Sequence, residues 1–258
     1  MSRLIFSPIS IWLLLALVLL VIIGLPLLFF GLIGAALANL GFGFWAIVLL
    51  IIAVIAGSFV NLPLGSIRPR IHASDEAAPS RKPRGQYAPS MYDKMYRTER
   101  FDVDAPSAAE QSRGTQICIN IGGAVIPVLI ALYVIISAAS GNISHDAWYL
   151  LKMAGAVALV SLTAFLTAKP VKGIGIAAPF FAAPLVSIIS GLVLGGGFGI
   201  AAAGIAFVSG TLGTLIGADL LHLRDVADND TPMLSIGGAG TFDGIFLTGI
   251  ITALLASF

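Results

Sequence analysis

The chain has 258 residues, of which 58% are hydrophobic and only 10% are charged, with a formal net charge of +1. Soluble domains average roughly a quarter charged residues, so this composition excludes an ordinary water-soluble fold and favours lipid as the main surrounding solvent. The single cysteine, Cys118, cannot pair within the chain, and the sparse His and Cys residues lack the spacing of metal ligands. We expect no bound metal, no cofactor and no nucleic-acid partner.

Seven stretches are apolar and long enough, or nearly so, to cross a bilayer, which takes about 20 residues. Pro179 and Pro184 interrupt the fifth stretch, which indicates a kinked or broken helix packed inside the bundle. The predicted fold is therefore all-α, a polytopic transmembrane helix bundle of about seven spans. The stretches cover residues 9–30, 44–62, 117–137, 148–168, 174–194, 199–222 and 236–258.

Lysine and arginine set the predicted orientation, because cytoplasmic loops carry an excess of both. With the N-terminus inside, 13 of the 14 Lys and Arg residues fall on the cytoplasmic side and only Lys152 falls outside. We therefore expect a cytoplasmic N-terminus, an external C-terminus and a location in the cell (plasma or inner) membrane. An alternative for the first span is a signal peptide cleaved near Ala36-Leu37-Ala38, although its apolar core is longer than such peptides have.

The charge distribution divides the chain into three regions. Residues 1–62 hold two predicted spans, and residues 117–258 form a five-span membrane domain that carries the glycine-rich motifs. Between them, residues 63–116 are polar and lack helical or strand periodicity, which predicts a mostly disordered cytoplasmic loop. Its basic cluster could bind anionic lipid headgroups, or the loop could be only a solvated connector.

Two aspartates, Asp219 and Asp243, fall inside predicted spans, where an ionisable side chain is costly and is a functional candidate by default. The sixth span runs inward and the seventh runs back, so a rise of about 1.5 Å per residue places both carboxylates in the same inner-leaflet layer. The short connection between the spans makes them antiparallel neighbours. We therefore predict that the two carboxylates can meet.

Two carboxylates close together cannot easily both ionise, so one would hold a proton. Such a pair suits aspartyl hydrolysis, in which one carboxylate activates water and the other protonates the carbonyl, and it suits proton or cation transport equally well. Glycines spaced i, i+4 flank both residues and would allow helices to approach closely. The alternative without chemistry is that each aspartate caps a helix end or lies near interfacial water.

The segment that begins at Asn120 aligns with the segment that begins at Ser235, and eight of 17 positions are identical. Each segment starts with a capping residue and then a glycine pair. The helix N-terminus that begins each span could therefore face an anionic group. The alternative is chance similarity between two spans rich in Gly and Ile. The residues that we expect to bind a substrate or ion are Asn120, His222, Gly237, Gly238 and Gly240.

Three motifs resemble the signature of a bacterial and archaeal membrane-protein family of unknown function. They are Asn-Ile-Gly-Gly-Ala at residues 120–124, Gly-Thr-Leu-Gly-Thr-Leu-Ile-Gly-Ala-Asp-Leu at 210–220 and Ser-Ile-Gly-Gly-Ala-Gly-Thr-Phe-Asp-Gly-Ile-Phe at 235–246. The resemblance covers the last five predicted spans, and it implies a membrane protein without implying an activity.

The sequence is also similar, more weakly, to the GxGD intramembrane aspartyl proteases of the presenilin and signal-peptide-peptidase class. Asp243 follows Gly238-Ala239-Gly240 with two extra residues between, and Ala183-Pro184-Leu185 permutes that class's Pro-Ala-Leu motif. This resemblance implies a membrane-embedded hydrolase with Asp219 and Asp243 as its catalytic pair and a membrane peptide as substrate. The alternatives are a proton- or cation-coupled transporter and a non-catalytic scaffold in the lipid bilayer.

Overall fold

The computed structural model describes residues 8–67, 115–171, 175–227, 233–238 and 243–257. Most of the predicted polar loop, residues 68–114, lies outside these ranges. Within them the chain is mostly helical. The helices are α1 (Pro8–Asn39), α2 (Phe44–Gly57), α3 (Ile126–Ala139), α4 (Tyr149–Thr167), α5 (Ala182–Gly195), α6 (Ile200–Thr214), α7 (Leu223–Ala227) and α8 (Gly244–Ala256). The strands are β1 (Asn61–Ile67), β2 (Thr115–Asn120), β3 (Lys169–Val171), β4 (Gly175–Ala177) and β5 (Met233–Ile236).

Two π-helical segments extend the regular helices. The first, Ile121–Val125, leads into α3, and the second, Leu215–Leu220, continues α6. With these extensions, four helices are long and apolar enough to cross a membrane: Ile11–Asn39, Ile121–Ala139, Tyr149–Thr167 and Ile200–Asp225. The protein is therefore a membrane protein by the length and composition of its helices.

Three further apolar helices, α2, α5 and α8, have 14, 14 and 13 residues. At about 1.5 Å per residue they extend roughly 20 Å, which is less than the hydrocarbon thickness of about 30 Å. All seven apolar stretches of the sequence thus contain a helix. The count of seven spans and the orientation of the termini stay predictions.

The all-α prediction was wrong in omitting two small sheets. β2 is the central strand of the larger sheet, antiparallel to β1 and parallel to β5, while β3 and β4 form an antiparallel hairpin. Strands thus occupy both ends of the predicted loop, at residues 61–67 and 115–120. The parallel pair matters most for the site, because it holds the chain before α3 beside the chain before α8.

Helix α6 is the centre of the bundle, with most of its residues buried from Ala202 to Thr214. It packs mainly against α4, α5 and α8. Small residues make this close packing possible. A Cβ on Gly213 would lie 2.7 Å from Val160 of α4, and a Cβ on Gly191 of α5 would lie 2.7 Å from the Ala202 carbonyl oxygen.

Helix α1 contrasts with α6, because most of its apolar side chains between Ile11 and Leu32 are exposed. Its final turns pack into the core through Ile33, Leu37 and the neighbouring Leu40. A long exposed apolar helix is stable in lipid, whereas in water it would be a large apolar patch.

The fifth predicted span is interrupted where its prolines stand. β4 ends at Ala177, the chain turns through Pro179, and α5 begins only at Ala182. Pro184 falls in the first turn of α5, where a missing backbone N–H leaves no helical hydrogen bond unmade.

The packing predicts that adding one methyl group at Gly217 is destabilising. A Cβ there would collide with the Ser161 carbonyl oxygen and lie 2.8 Å from the Ala164 Cβ, so Gly217→Ala must push α4 aside. Overpacking of this kind costs about 1–3 kcal/mol. We expect a lower melting temperature in detergent.

Gly155→Ala is the matched control on α4, because a Cβ at Gly155 has no atom within 4 Å. Replacing glycine by alanine in an open helix position stabilises it by up to about 1 kcal/mol. Equal melting temperatures for the two variants would contradict the close contact between Gly217 and α4.

Candidate functional site

The π-helical segment Leu215–Leu220 determines where Asp219 points. A π-helical turn brings residues i and i+5 to the same side, so Thr214 and Asp219 share one face. In a regular α-helix, with 3.6 residues per turn, they would lie about 140° apart. The local departure from α-helix geometry therefore turns Asp219 toward the cavity that Thr214 also lines.

His222 closes the end of this π-helical segment. Its imidazole is buried, and Nδ1 lies 3.2 Å from the Gly217 carbonyl oxygen and 3.1 Å from that of Ala218. Both partners are acceptors, so Nδ1 carries the hydrogen and donates it. The ring also packs on Phe165 of α4, with centroids 4.8 Å apart. His222, predicted to bind a substrate or ion, is thus held against the backbone of the segment that carries Asp219.

Asp243 is the N-cap of α8. Its Oδ1 accepts a hydrogen bond of 2.9 Å from the Ile245 backbone N–H. The capping alternative considered for the aspartates is thus found at Asp243. Capping does not exclude chemistry, because a carboxylate at a helix N-terminus can still present its second oxygen to a ligand.

Asp219 and Asp243 line the same cavity, whose volume is about 290 Å³. The two carboxylates are close enough to interact electrostatically. Both aspartates thus lie on the wall of one cavity, and their action as a pair stays a prediction. Apart from the aspartates, the cavity wall consists of apolar groups and three threonines: Ala164, Thr167, Ile176, Ala178, Pro179, Phe180, Ala183, Pro184, Thr214, Ala218, Gly244, Ile245 and Thr248.

Gly237 connects the glycine-rich turn to the site. Its backbone N–H lies near the Asp219 carboxylate. Its φ of 67° lies in the left-handed region, and a Cβ there would be 2.7 Å from the Cβ of Ala124. Of its predicted partners, Gly238 is exposed in the same turn, and Gly240 lies outside the described residues.

Asn120 is fully buried, but its side chain makes its hydrogen bonds away from the cavity. Its Oδ1 accepts from the Gly123 N–H at 2.8 Å, and its Nδ2 donates to the Ser58 carbonyl at 2.9 Å and to Asn61 Oδ1 at 3.1 Å. Ser235 Oγ donates to the same Asn61 oxygen at 2.7 Å. Both capping residues of the two similar segments therefore meet at Asn61, which sequence reasoning did not single out.

The two similar segments share only their first part. Each ends a strand and enters a glycine pair, and the strands run in parallel. The pairing register joins Cys118, not Asn120, to Ser235, a shift of two residues from the sequence alignment. In the first segment the glycines already lie within the π-helical segment Ile121–Val125, whereas in the second α8 begins only at Gly244.

Sequence reasoning missed the threonines of the cavity wall, Thr167, Thr214 and Thr248. Threonine is common in membrane helices, so composition gave no signal for them. Ala183 and Pro184 were noted as a permuted motif, and Pro184 also as a helix interruption; both lie on the wall that the aspartates share. Within the described residues no group of three or more His, Cys, Asp or Glu side chains could hold a metal ion.

Fold and site together define a mostly helical membrane protein with two carboxylates in one cavity between helices. Residues 55–255 match a family model described as "Protein of unknown function (DUF1614)", so the chain belongs to this family. The match covers every residue of the cavity wall. Comparisons with curated proteins and with solved structures gave no match. The expected membership in a family of unknown function is thus confirmed.

The geometry at Gly237 predicts that adding a side chain there lowers the stability of the protein. Gly237→Ala forces an L side chain into positive φ, which costs about 1–2 kcal/mol, and sets its Cβ against Ala124. We expect a lower melting temperature and slower recovery of folded protein in detergent.

Gly244→Ala makes the same change at the first residue of α8, where a Cβ would meet no atom within 4 Å. This control should match or exceed the wild-type melting temperature. If Gly237→Ala were equally stable, the tight turn beside Asp219 would be refuted.

Proposed function

We propose that the protein is an intramembrane hydrolase whose catalytic pair is Asp219 and Asp243. The observation that carries the proposal is that carboxylates from two different elements, a π-helical segment and a helix N-cap, line one cavity. Charged side chains at membrane depth are costly, and placing two of them together is harder to account for by packing alone.

Such a pair supports cleavage of an amide bond when it shares one proton. The ionised carboxylate takes a proton from water while the water oxygen attacks the carbonyl carbon, and the protonated partner gives its proton to the carbonyl oxygen. When the tetrahedral intermediate collapses, the C–N bond breaks and a carboxyl group protonates the departing amine. These reaction steps need no metal or cofactor.

The remaining wall of the cavity favours a peptide substrate from the membrane. Ile176, Phe180 and Ile245 are apolar, while the threonine hydroxyls can hydrogen-bond a peptide backbone. Ala183 and Pro184 lie beside the aspartates, which is consistent with the resemblance to the GxGD proteases. The volume of about 290 Å³ is at the lower limit for ligand cavities and suits one short, small-residue segment.

A proton- or cation-coupled transporter is the second candidate. The N-terminal ends of two helices, α5 and α8, reach the cavity through Ala183, Pro184 and Gly244. Broken helices that end at an intramembrane cavity are typical of secondary transporters. The described wall also has no basic side chain, so a proton or small cation would be the natural counterion of the two carboxylates.

The proposal includes the predicted topology of about seven spans in the plasma or inner membrane. Lys169, Lys172 and Arg224 follow the predicted spans at the carboxylate end, and this excess of basic residues supports a cytoplasmic position for that end of the bundle. The lipid bilayer is then the source from which a membrane peptide would reach the cavity.

Asp219→Asn and Asp243→Asn should each abolish cleavage of membrane peptides, with a loss of at least about a thousandfold because each variant removes one proton-transfer group. The measurement is cleavage of a set of single-span peptides in liposomes, followed by mass spectrometry. Asp225→Asn is the matched control, since Asp225 is exposed on α7 and does not line the cavity.

Cleavage that persists in both single variants would contradict the hydrolase. In the same liposomes, a pH-sensitive dye inside the vesicles tests the second candidate. Proton flux that depends on Asp219 and Asp243, without any cleavage, would favour the transporter.

A further inference from the structure

Buried hydroxyl groups continue inward from the carboxylate cavity. Thr214 of α6 and Thr248 of α8 line the cavity. About one turn deeper, a Cβ on Gly210 would lie 3.0 Å from Thr252 Oγ1 and 3.1 Å from Ser187 Oγ. Because Gly210 has no side chain, hydroxyls from three helices converge there. The hydroxyl seam, as we call it, comprises Ser187, Ser190, Ser209, Thr211, Thr214 and Thr252, all buried.

Part of the seam bonds to the protein itself. Ser187 Oγ donates to the Ala206 carbonyl oxygen at 2.6 Å, and Thr252 Oγ1 donates to the same oxygen at 3.1 Å. Ser209 Oγ lies 3.1 Å from Ser187 Oγ. A carbonyl oxygen has two lone pairs, so the Ala206 carbonyl has little capacity for further donors.

Three other hydroxyls of the seam have no such partner. Ser190 Oγ, Thr211 Oγ1 and Thr214 Oγ1 are buried and make no hydrogen bond with the residues that the structure describes. A buried hydroxyl left unpaired bears its full desolvation penalty, and native proteins usually meet that need with ordered water. Three such groups along one seam indicate a ligand that can both donate and accept hydrogen bonds.

The far end of the seam is closed by small apolar residues. Leu192, Ala202, Ala206 and Ala256 pack together there. A Cβ on Gly195 would lie only 2.6 Å from the Ala202 Cα, so α5 and α6 are in direct contact. The polar continuation of the seam therefore leads toward the two aspartates.

We propose that the hydroxyl seam is a water-binding branch of the carboxylate cavity, closed at its far end, which stores water and delivers it to the aspartates for hydrolysis. The delivery role rests on the proposed hydrolase, whereas water binding does not. Threonine in a helix populates two χ1 rotamers, so rotation of Thr214 can turn its hydroxyl toward the cavity and pass water to Thr211 behind it. An active site enclosed by apolar helices needs water stored close to its carboxylates, because water is scarce in the bilayer core.

Thr211→Val tests water binding, since valine keeps the side-chain shape and removes the hydroxyl. If the seam binds water, the variant loses hydrogen bonds and its melting temperature falls. If the seam is dry, removing an unpaired hydroxyl raises the melting temperature, and that result would overturn the inference. Thr163→Val on α4 is the control for the substitution itself, because Thr163 bonds only within its own helix, to the Leu159 carbonyl at 2.9 Å.

A second experiment detects water directly and needs no activity. In a Cys118→Ser background, Ser190→Cys places a thiol in the seam, and Ala203→Cys places one in the apolar core, where Ala203 is fully buried. After transfer to D₂O, infrared spectroscopy should show the S–H band of the Ser190→Cys variant converting to S–D well before that of the control. Equal persistence of both S–H bands would refute water in the seam.

The outcomes separate the two proposals. Thiol exchange at position 190 without any aspartate-dependent cleavage would leave the seam as a water site and reject the hydrolase. Aspartate-dependent cleavage with an S–H band that persists would uphold the hydrolase and reject the seam as its water store.

Discussion

The bundle depends on how closely the helix from Ile200 to Asp225 can approach its neighbours. Gly213 and Gly217 let α4 pack directly on its backbone, and Gly249 of α8 contacts Thr211 from the other side. In lipid, helices gain little from apolar contact alone, so backbone proximity and interhelical hydrogen bonds must hold the bundle together. The close packing of the helices also encloses polar side chains, and those side chains are the candidates for a chemical function.

The site follows from this packing. The π-helical segment can press against α4 because Gly217 has no side chain, and its geometry directs Asp219 to the side of Thr214. The parallel strands β2 and β5 hold the turn at Gly237, whose N–H lies near the Asp219 carboxylate. Asp243 then starts α8 at the same cavity. Structural roles thus fall on residues with a proposed chemical role, and His222 ends the segment that carries Asp219.

Hydropathy located every apolar helix, because a long run of Leu, Ile, Val and Ala has few alternatives in lipid. Helix rise and a short connection also predicted that Asp219 and Asp243 lie at similar depth, and both line one cavity. The strands escaped notice because residues 115–120 join an apolar run and residues 61–67 contain Pro63 and Gly65, both poor strand formers. The place of Asp219 on the side of Thr214 depends on a π-helical turn, and π-helical turns arise from tertiary packing without a sequence signal of their own. Asn61 was missed for a similar reason, since its two partners, Asn120 and Ser235, are distant in sequence.

The central claim is that Asp219 and Asp243 act as one coupled pair, and an infrared pH titration of the carboxylic-acid band tests it most directly. Purified wild type would be compared in detergent with Asp219→Asn and Asp243→Asn. We expect each substitution to change how the remaining carboxyl titrates, because two carboxylates in one cavity share their protons. If each aspartate titrates the same way whether or not the other is present, the two do not form a pair and the proposed site is wrong.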